Sequence, residues 1–159
     1  METQSKNSIS LILFIILIMA LASLSALPTH VGDGSWYAQL IKPGFTPDNW
    51  MFALVWPILY ILVAIAFWLL WNKRHEPGCY WVLTIFAAQL LVSFSWSWIF
   101  FGLHSLLFGF LWIVLLWCMI GWTVLASWSY CKKTAFLLLP YWLWVTFAGV
   151  LAATIWWMN

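Results

Sequence analysis

No Asp, Glu, Lys, Arg or His interrupts any of five long apolar runs in this chain, and that feature decides its solvent. About 20 consecutive apolar residues span the hydrocarbon of a bilayer as a helix, whereas a soluble domain must clothe its surface with charge. Of the 159 residues, 66% are hydrophobic and 6% charged, and the mean hydropathy is +0.99. The runs cover Ser8 to Ala26, Trp50 to Trp71, Cys79 to Phe101, Ser105 to Tyr130 and Thr134 to Met158. The chain therefore reads as an all-α membrane protein, a single domain over residues 1–159 built as a five-transmembrane-helix bundle.

The breaks between runs are informative. Lys6 precedes the first run and small residues end it, as in a cleaved signal peptide. The run is longer than a usual signal core, and Ser23-Leu24-Ser25 is a weak cleavage site, so we read it as a retained helix. Residues 27–49 then form the longest non-helical stretch, with Pro28, Gly32, Gly34, Pro43, Gly44 and Pro47 around Trp36-Tyr37 and Phe45. A loop of this length is usually functional. Asp48 or Asn49 is placed to cap the second helix. Pro57 lies near enough to that helix's start to be tolerated, and Pro140 is expected to kink the fifth.

Five crossings put the N-terminus, the second-to-third loop and the fourth-to-fifth loop on one side, which carries Lys6, Lys73, Arg74, Lys132 and Lys133. Only Lys42 falls on the other. The bias of basic residues toward the cytoplasm predicts a cytoplasmic N-terminus, an exterior C-terminus and an outward-facing first loop, if the membrane is a bacterial inner one.

Several functions are excluded. Pumps and ion-coupled carriers move charge through intramembrane ionisable groups, and the spans have none. There is no nucleophile with a base on the same helical face, no paired carboxylates, no H-E-x-x-H and no glycine-rich phosphate loop. A net charge of +2, spread over loops, offers no track for nucleic acid. Cys79, Cys118 and Cys131 are scattered, with no metal-ligand spacing, and read as packing residues. His30, His75 and His104 fall in loops or at helix ends.

The chain has 16 Trp, 12 Phe and 5 Tyr. Trp71, Trp81, Trp128, Tyr130, Trp156 and Trp157 lie near span ends, where aromatic belts anchor helices in the interface. Mid-span aromatics trace helical faces: Trp56 and Tyr60 on the second helix, Gln89, Ser93, Trp96 and Phe100 on the third, Tyr141, Trp144 and Ala148 on the fifth. Such faces either line one pocket or are helix-packing surfaces. Indole rings would give a conjugated ligand flat, polarizable walls. The Gln89 amide must be satisfied by another helix or by a ligand, and the inter-helix bond is expected. Gly149 and Ala153, one turn apart, permit close helix approach within the chain or between two copies.

Trp36-Tyr37, Leu40, Lys42-Pro43, Pro47, Phe52, Trp56 and Tyr60 resemble the signature of the translocator proteins, the bacterial tryptophan-rich sensory proteins and the mitochondrial peripheral benzodiazepine receptor. The likeness continues through Gln89-Leu90, Trp96-Ser97, Phe100-Phe101, Pro140-Tyr141, Leu143-Trp144, Ala148 and Asn159. It implies a five-helix bundle, often dimeric, whose cavity binds porphyrins, haem-type tetrapyrroles and other apolar small molecules beneath the first loop. Carried over, Trp56, Ser93, Trp144 and Ala148 would face the ligand, and the loop from Trp36 to Pro47 would be the lid. The family usually has asparagine where this chain has Ser93 and Ala152. The family's C-terminal sterol-contact stretch, a tyrosine and a basic residue after Leu151, is absent.

The expected ligand-binding set is thus Trp36, Trp56, Tyr60, Ser93, Trp96, Tyr141, Trp144 and Ala148, with no metal and no cofactor. The expected partners are a tetrapyrrole or other apolar ligand, the lipid bilayer and a second copy of the chain as homodimer. The function implied is a membrane receptor or sensor that influences tetrapyrrole transport or stress response. The alternatives are a light- and oxygen-dependent protoporphyrin-degrading enzyme, with Trp56 and Trp144 as redox-active walls, and a passive porphyrin carrier.

Overall fold

A computed structural model describes residues 2–159, with side chains from Ile9 onward. The side chain of Lys6, used above for orientation, lies outside the described residues. The elements in order are α1 (Glu2–Ser25), the one-turn α2 (Trp36–Gln39), α3 (Asn49–Trp71), α4 (Cys79–Ser97) continuing into a π-helical turn (Trp98–Gly102), α5 (Leu106–Ser127) and α6 (Lys132–Met158). Four of these, α3, α4 with its π-turn, α5 and α6, are long and apolar enough to cross a membrane, and α1 adds the shorter apolar stretch Ile9–Ser25. The chain is an all-α membrane bundle with five helices of transmembrane type.

The bundle pairs α5 with α6, α4 with α5, α1 with α3 and α3 with α6. Its core is a column of fully buried apolar side chains, among them Val63, Leu70, Phe86, Leu116, Ile120, Leu138 and Val145. Lipid solvates the outer faces as well as a core would, so burial alone gives little drive for association. Close packing and hydrogen bonds must hold the helices together. Many of the tryptophans serve that purpose. The indole N–H of Trp96 donates to the Gly109 carbonyl at 2.9 Å, and that of Trp112 to Ser95 Oγ at 2.9 Å, both joining α4 to α5. Trp117 donates to Thr146 Oγ1 at 2.8 Å and Trp142 to the Trp117 carbonyl at 3.1 Å, joining α5 to α6. Trp68 of α3 donates to Ser10 Oγ of α1 at 3.0 Å.

Small residues let these contacts form. A Cβ on Gly109 would stand 2.6 Å from the Phe100 ring, so only glycine fits there. One on Gly149 would meet Ile113 at 3.3 Å, so its close approach is used within the chain, between α6 and α5. Gln89 is fully buried, and its Oε1 accepts from Thr123 Oγ1 of α5 at 3.0 Å, the inter-helix bond expected. Its Nε2 has no partner among the described residues.

Two expectations at helix ends are corrected. Asp48 occupies the N-cap position of α3 without a side-chain capping bond. Asn49 Nδ2 instead donates to the Val31 carbonyl at 3.0 Å, tying the helix to the first loop. The fourth span also ends earlier than Tyr130, at Ser127. Tyr130 turns back so that its hydroxyl donates to the Pro77 carbonyl at 3.1 Å. That bond holds the second-to-third and fourth-to-fifth loops together at one end of the bundle. Asn159 hydrogen-bonds Ile41 and so fastens the foot of α6 to the first loop at the other end.

Candidate functional site

Beneath the first loop, α1, α3, the end of α4 and α6 leave a cavity of about 410 Å³ between them. This falls in the ~300–1,000 Å³ range of small-molecule sites. α3 contributes Phe52, Ala53, Trp56, Pro57 and Tyr60, spaced three and four apart so that one face of the helix forms a wall. The end of α4 and its π-turn contribute Trp96, Ser97, Phe100 and Phe101, and α6 contributes Ala148, Leu151, Ala152 and Ile155. The lining is mostly apolar and aromatic.

Four of the eight residues expected from sequence stand in this wall: Trp56, Tyr60, Trp96 and Ala148. Trp56 stacks on Tyr60 at 5.5 Å between ring centroids, and Trp96 on Phe100 at 5.0 Å, which presents flat surfaces from two directions. The other four lie outside the wall and support it. Ser93 is buried behind it, where its Oγ accepts from the Tyr141 hydroxyl at 2.9 Å and pairs with the Tyr60 hydroxyl at 3.1 Å. One serine hydroxyl thereby joins α3, α4 and α6. Tyr141 is fully buried and meets Trp56 edge-on at 6.4 Å.

Trp144 packs edge-on against the wall residue Phe52 at 5.8 Å, and its buried indole N–H has no partner among the described residues. Trp36 sits above the cavity in the loop. It stacks on His104 at 4.6 Å and meets Phe100 edge-on at 5.6 Å. Ala152, where asparagine was noted as usual in the family resembled, lines the cavity and leaves it larger and less polar there.

The loop is fastened at several points. Ser35 Oγ caps α2 by accepting from the Ala38 N–H at 3.2 Å. Tyr37 of α2 packs edge-on against Phe101 at 5.5 Å, and burial pushes its hydroxyl above the ordinary tyrosine value. The Lys42 ammonium lies 4.4 Å above the Tyr37 ring and donates to the Tyr37 carbonyl at 2.7 Å. At the rim, His104 adopts φ 52, a left-handed conformation that directs the chain out of the π-turn and into α5.

Sequence periodicity missed the share of α1, whose Met19, Ala22 and Ser25 complete the wall. These small and aliphatic residues have nothing to mark them among lipid-facing neighbours. It also missed Tyr37, Phe52 and Phe101, although each belongs to an aromatic cluster visible in the sequence.

A polytopic helical bundle with an aromatic, apolar cavity closed on one side by a fastened loop defines a class of membrane proteins that hold small apolar molecules within the bilayer. The profile of the TspO/MBR family matches residues 14–158, and the chain belongs to that family. It is 36% identical over 151 residues to Protein CrtK of Rhodobacter capsulatus, covering 94% of each chain. It is 41% identical over 133 residues to the tryptophan-rich protein TspO of Chlorobaculum tepidum, covering 79% of this chain and 80% of that one. The translocator protein of Ovis aries is 30% identical over 131 residues, covering 80% of this chain and 78% of the other.

Proposed function

We propose that this protein is a membrane receptor that takes a flat apolar ligand of the porphyrin type into the cavity beneath its first loop and so influences tetrapyrrole transport or stress response. The observation that carries this reading is the cavity of about 410 Å³ walled by Trp56, Tyr60, Trp96 and Ala148. Stacked aromatic pairs on two sides suit a conjugated ring, and the apolar lining suits a ligand that arrives from lipid. The name of a further relative, the tryptophan-rich sensory protein of Cereibacter sphaeroides, agrees with a receptor rather than a structural helix bundle. The loop bearing Trp36 and Tyr37 is the lid. The excess of basic residues at the opposite end supports a lid that faces away from the cytoplasm, and the family resemblance supports a homodimer.

The test is quenching of intrinsic tryptophan fluorescence by protoporphyrin in detergent, with wild type compared to Ala148→Leu. That substitution fills part of the cavity without removing a fluorophore. Saturable quenching in the wild type, shifted to at least several-fold higher porphyrin in the variant, is the expected result. Linear quenching equal in both would mean partitioning into the micelle and would overturn the reading. A second reading, light-dependent oxidation of bound porphyrin, draws on Trp56 as an oxidisable ring in the wall. It predicts that porphyrin absorbance decays faster under light and oxygen with the protein, and that Trp56→Phe removes the gain.

A further inference from the structure

The cavity wall contains a proline inside a helix, beyond the first two turns of α3 and so deeper than the helix start near which it was expected to be tolerated. Pro57 lies inside α3, which continues past it without a break to Trp71. An α-helix is closed by hydrogen bonds from each N–H to the carbonyl four residues before it, and proline has no N–H. The carbonyl left without its donor is that of Ala53. The pyrrolidine ring also presses on this carbonyl and tips it away from the helix axis.

In an α-helix the oxygen of one residue emerges between the side chains three and four positions later, here Trp56 and Pro57. Ala53, Trp56 and Pro57 all line the cavity. The freed oxygen is therefore flanked by cavity-facing residues, and the alanine methyl is too small to cover it. Four of the donors in the lining are committed elsewhere, and among the described residues no side-chain hydrogen bond reaches the Ala53 carbonyl from the others. The Tyr60 hydroxyl is paired with Ser93, the Ser25 hydroxyl donates to the Ala22 carbonyl at 2.9 Å, the Ser23 hydroxyl to the Met19 carbonyl at 2.9 Å, and the Trp96 indole to Gly109. A backbone carbonyl in a nonaqueous site without a donor is costly, and a ligand that brings one recovers that cost.

We propose that the Ala53 carbonyl, released by Pro57, is a hydrogen-bond acceptor site of the cavity and selects flat apolar ligands that carry an N–H or O–H donor on their edge. This rests on the cavity's being the ligand site and adds the chemistry by which it chooses among ligands. Pro140 of α6 is the internal contrast. It too frees a carbonyl, but neither it nor Phe136, four residues earlier, lines the cavity.

The test uses two tricyclic probes of nearly the same shape: carbazole, with one ring N–H, and dibenzofuran, in which oxygen replaces it. Binding of each to the full-length protein in detergent is measured by displacement of protoporphyrin. In the wild type carbazole is expected to bind about tenfold more tightly, the scale of one net hydrogen bond. Pro57→Ala restores the helical N–H to Ala53, and alanine is the best helix former, so the variant is expected to fold. There the ratio of the two affinities should fall toward one, while Pro140→Ala should keep the wild-type ratio. Equal affinities in the wild type, or an unchanged ratio in Pro57→Ala, would overturn the acceptor and leave the cavity standing as a ligand site. Failure of both probes to displace protoporphyrin at saturation would overturn the cavity reading itself, and the acceptor with it.

Discussion

Asn159 and Ile41 are 118 residues apart in sequence and share a pair of hydrogen bonds, the Asn159 side chain accepting from the Ile41 N–H at 3.0 Å and donating to its carbonyl at 3.0 Å. An amide side chain thus pairs with a peptide group as one β-strand pairs with another, and the loop over the cavity is held to the foot of α6. Asn159 also donates to the Ile155 carbonyl at 2.8 Å, which fixes its orientation. Asn159→Ala removes both bonds to the loop, each worth about 0.5–1.5 kcal/mol. Amide exchange at Ile41, measured by mass spectrometry in detergent, should accelerate roughly tenfold, with the core of α3 unchanged.

Ser93→Ala should be expensive for a small change. Two buried tyrosine hydroxyls, Tyr60 and Tyr141, lose their shared partner. An unsatisfied buried polar group costs about 1–3 kcal/mol. Thermal unfolding in detergent should report a loss of that order. Because Ser93 lies behind the cavity wall, protoporphyrin affinity should change little, whereas a serine in direct contact with ligand would lose stability and affinity together.

Gly109→Ala should also destabilise. The added methyl would press on the buried Phe100 ring, at the same residue whose carbonyl accepts the Trp96 indole bond. Overpacking of this kind costs about 1–3 kcal/mol. Thermal unfolding should show the loss, and Gly109→Ala combined with Phe100→Leu should recover part of it, since the shorter side chain makes room.

The pair Gln89 and Thr123 should respond asymmetrically. Gln89 already has an unpartnered Nε2, and Thr123 can donate instead to the Met119 carbonyl, 2.8 Å from its Oγ1. Gln89→Leu should therefore stay within about 1 kcal/mol of wild type, since it removes an amide that is half satisfied. Thr123→Val strips the remaining bond from the buried Gln89 and should cost more. Equal losses from the two substitutions in chemical or thermal unfolding would show that the bond itself, rather than the stranded amide, sets the energy.

The span count and the helical faces were legible because uncharged apolar runs and three-to-four spacing are local properties. Trp56 and Tyr60 fall in one wall because α3 is regular enough to carry their spacing into space. Ser93 shows what spacing cannot say. It shares a face with Trp96, but whether its hydroxyl meets a ligand or two tyrosines depends on how far α3 and α6 close behind it. Trp36 was legible as a loop aromatic, yet its stacking partner His104 belongs to the junction of two other helices. The joining role of Trp96, Trp112, Trp117 and Trp142 was hidden for a related reason. An indole on a helix face reads the same whether its N–H meets a neighbouring helix or a ligand.

The π-helical turn at Trp98–Gly102 bears on how this cavity tolerates insertion and deletion. Such a turn is an α-helix with one residue too many, and each residue of an α-helix turns the chain by about 100°. Loss of a single residue there would let the turn close to ordinary pitch, leaving the chain beyond it in register but with one residue fewer on the turn itself. Phe100 and Phe101, which meet Tyr37 and Trp36 above and Trp96 beside them, could no longer both face the same way. Chain length in these five positions is therefore itself part of the cavity's specification, so that a one-residue deletion, harmless in most loops, would here redraw the rim.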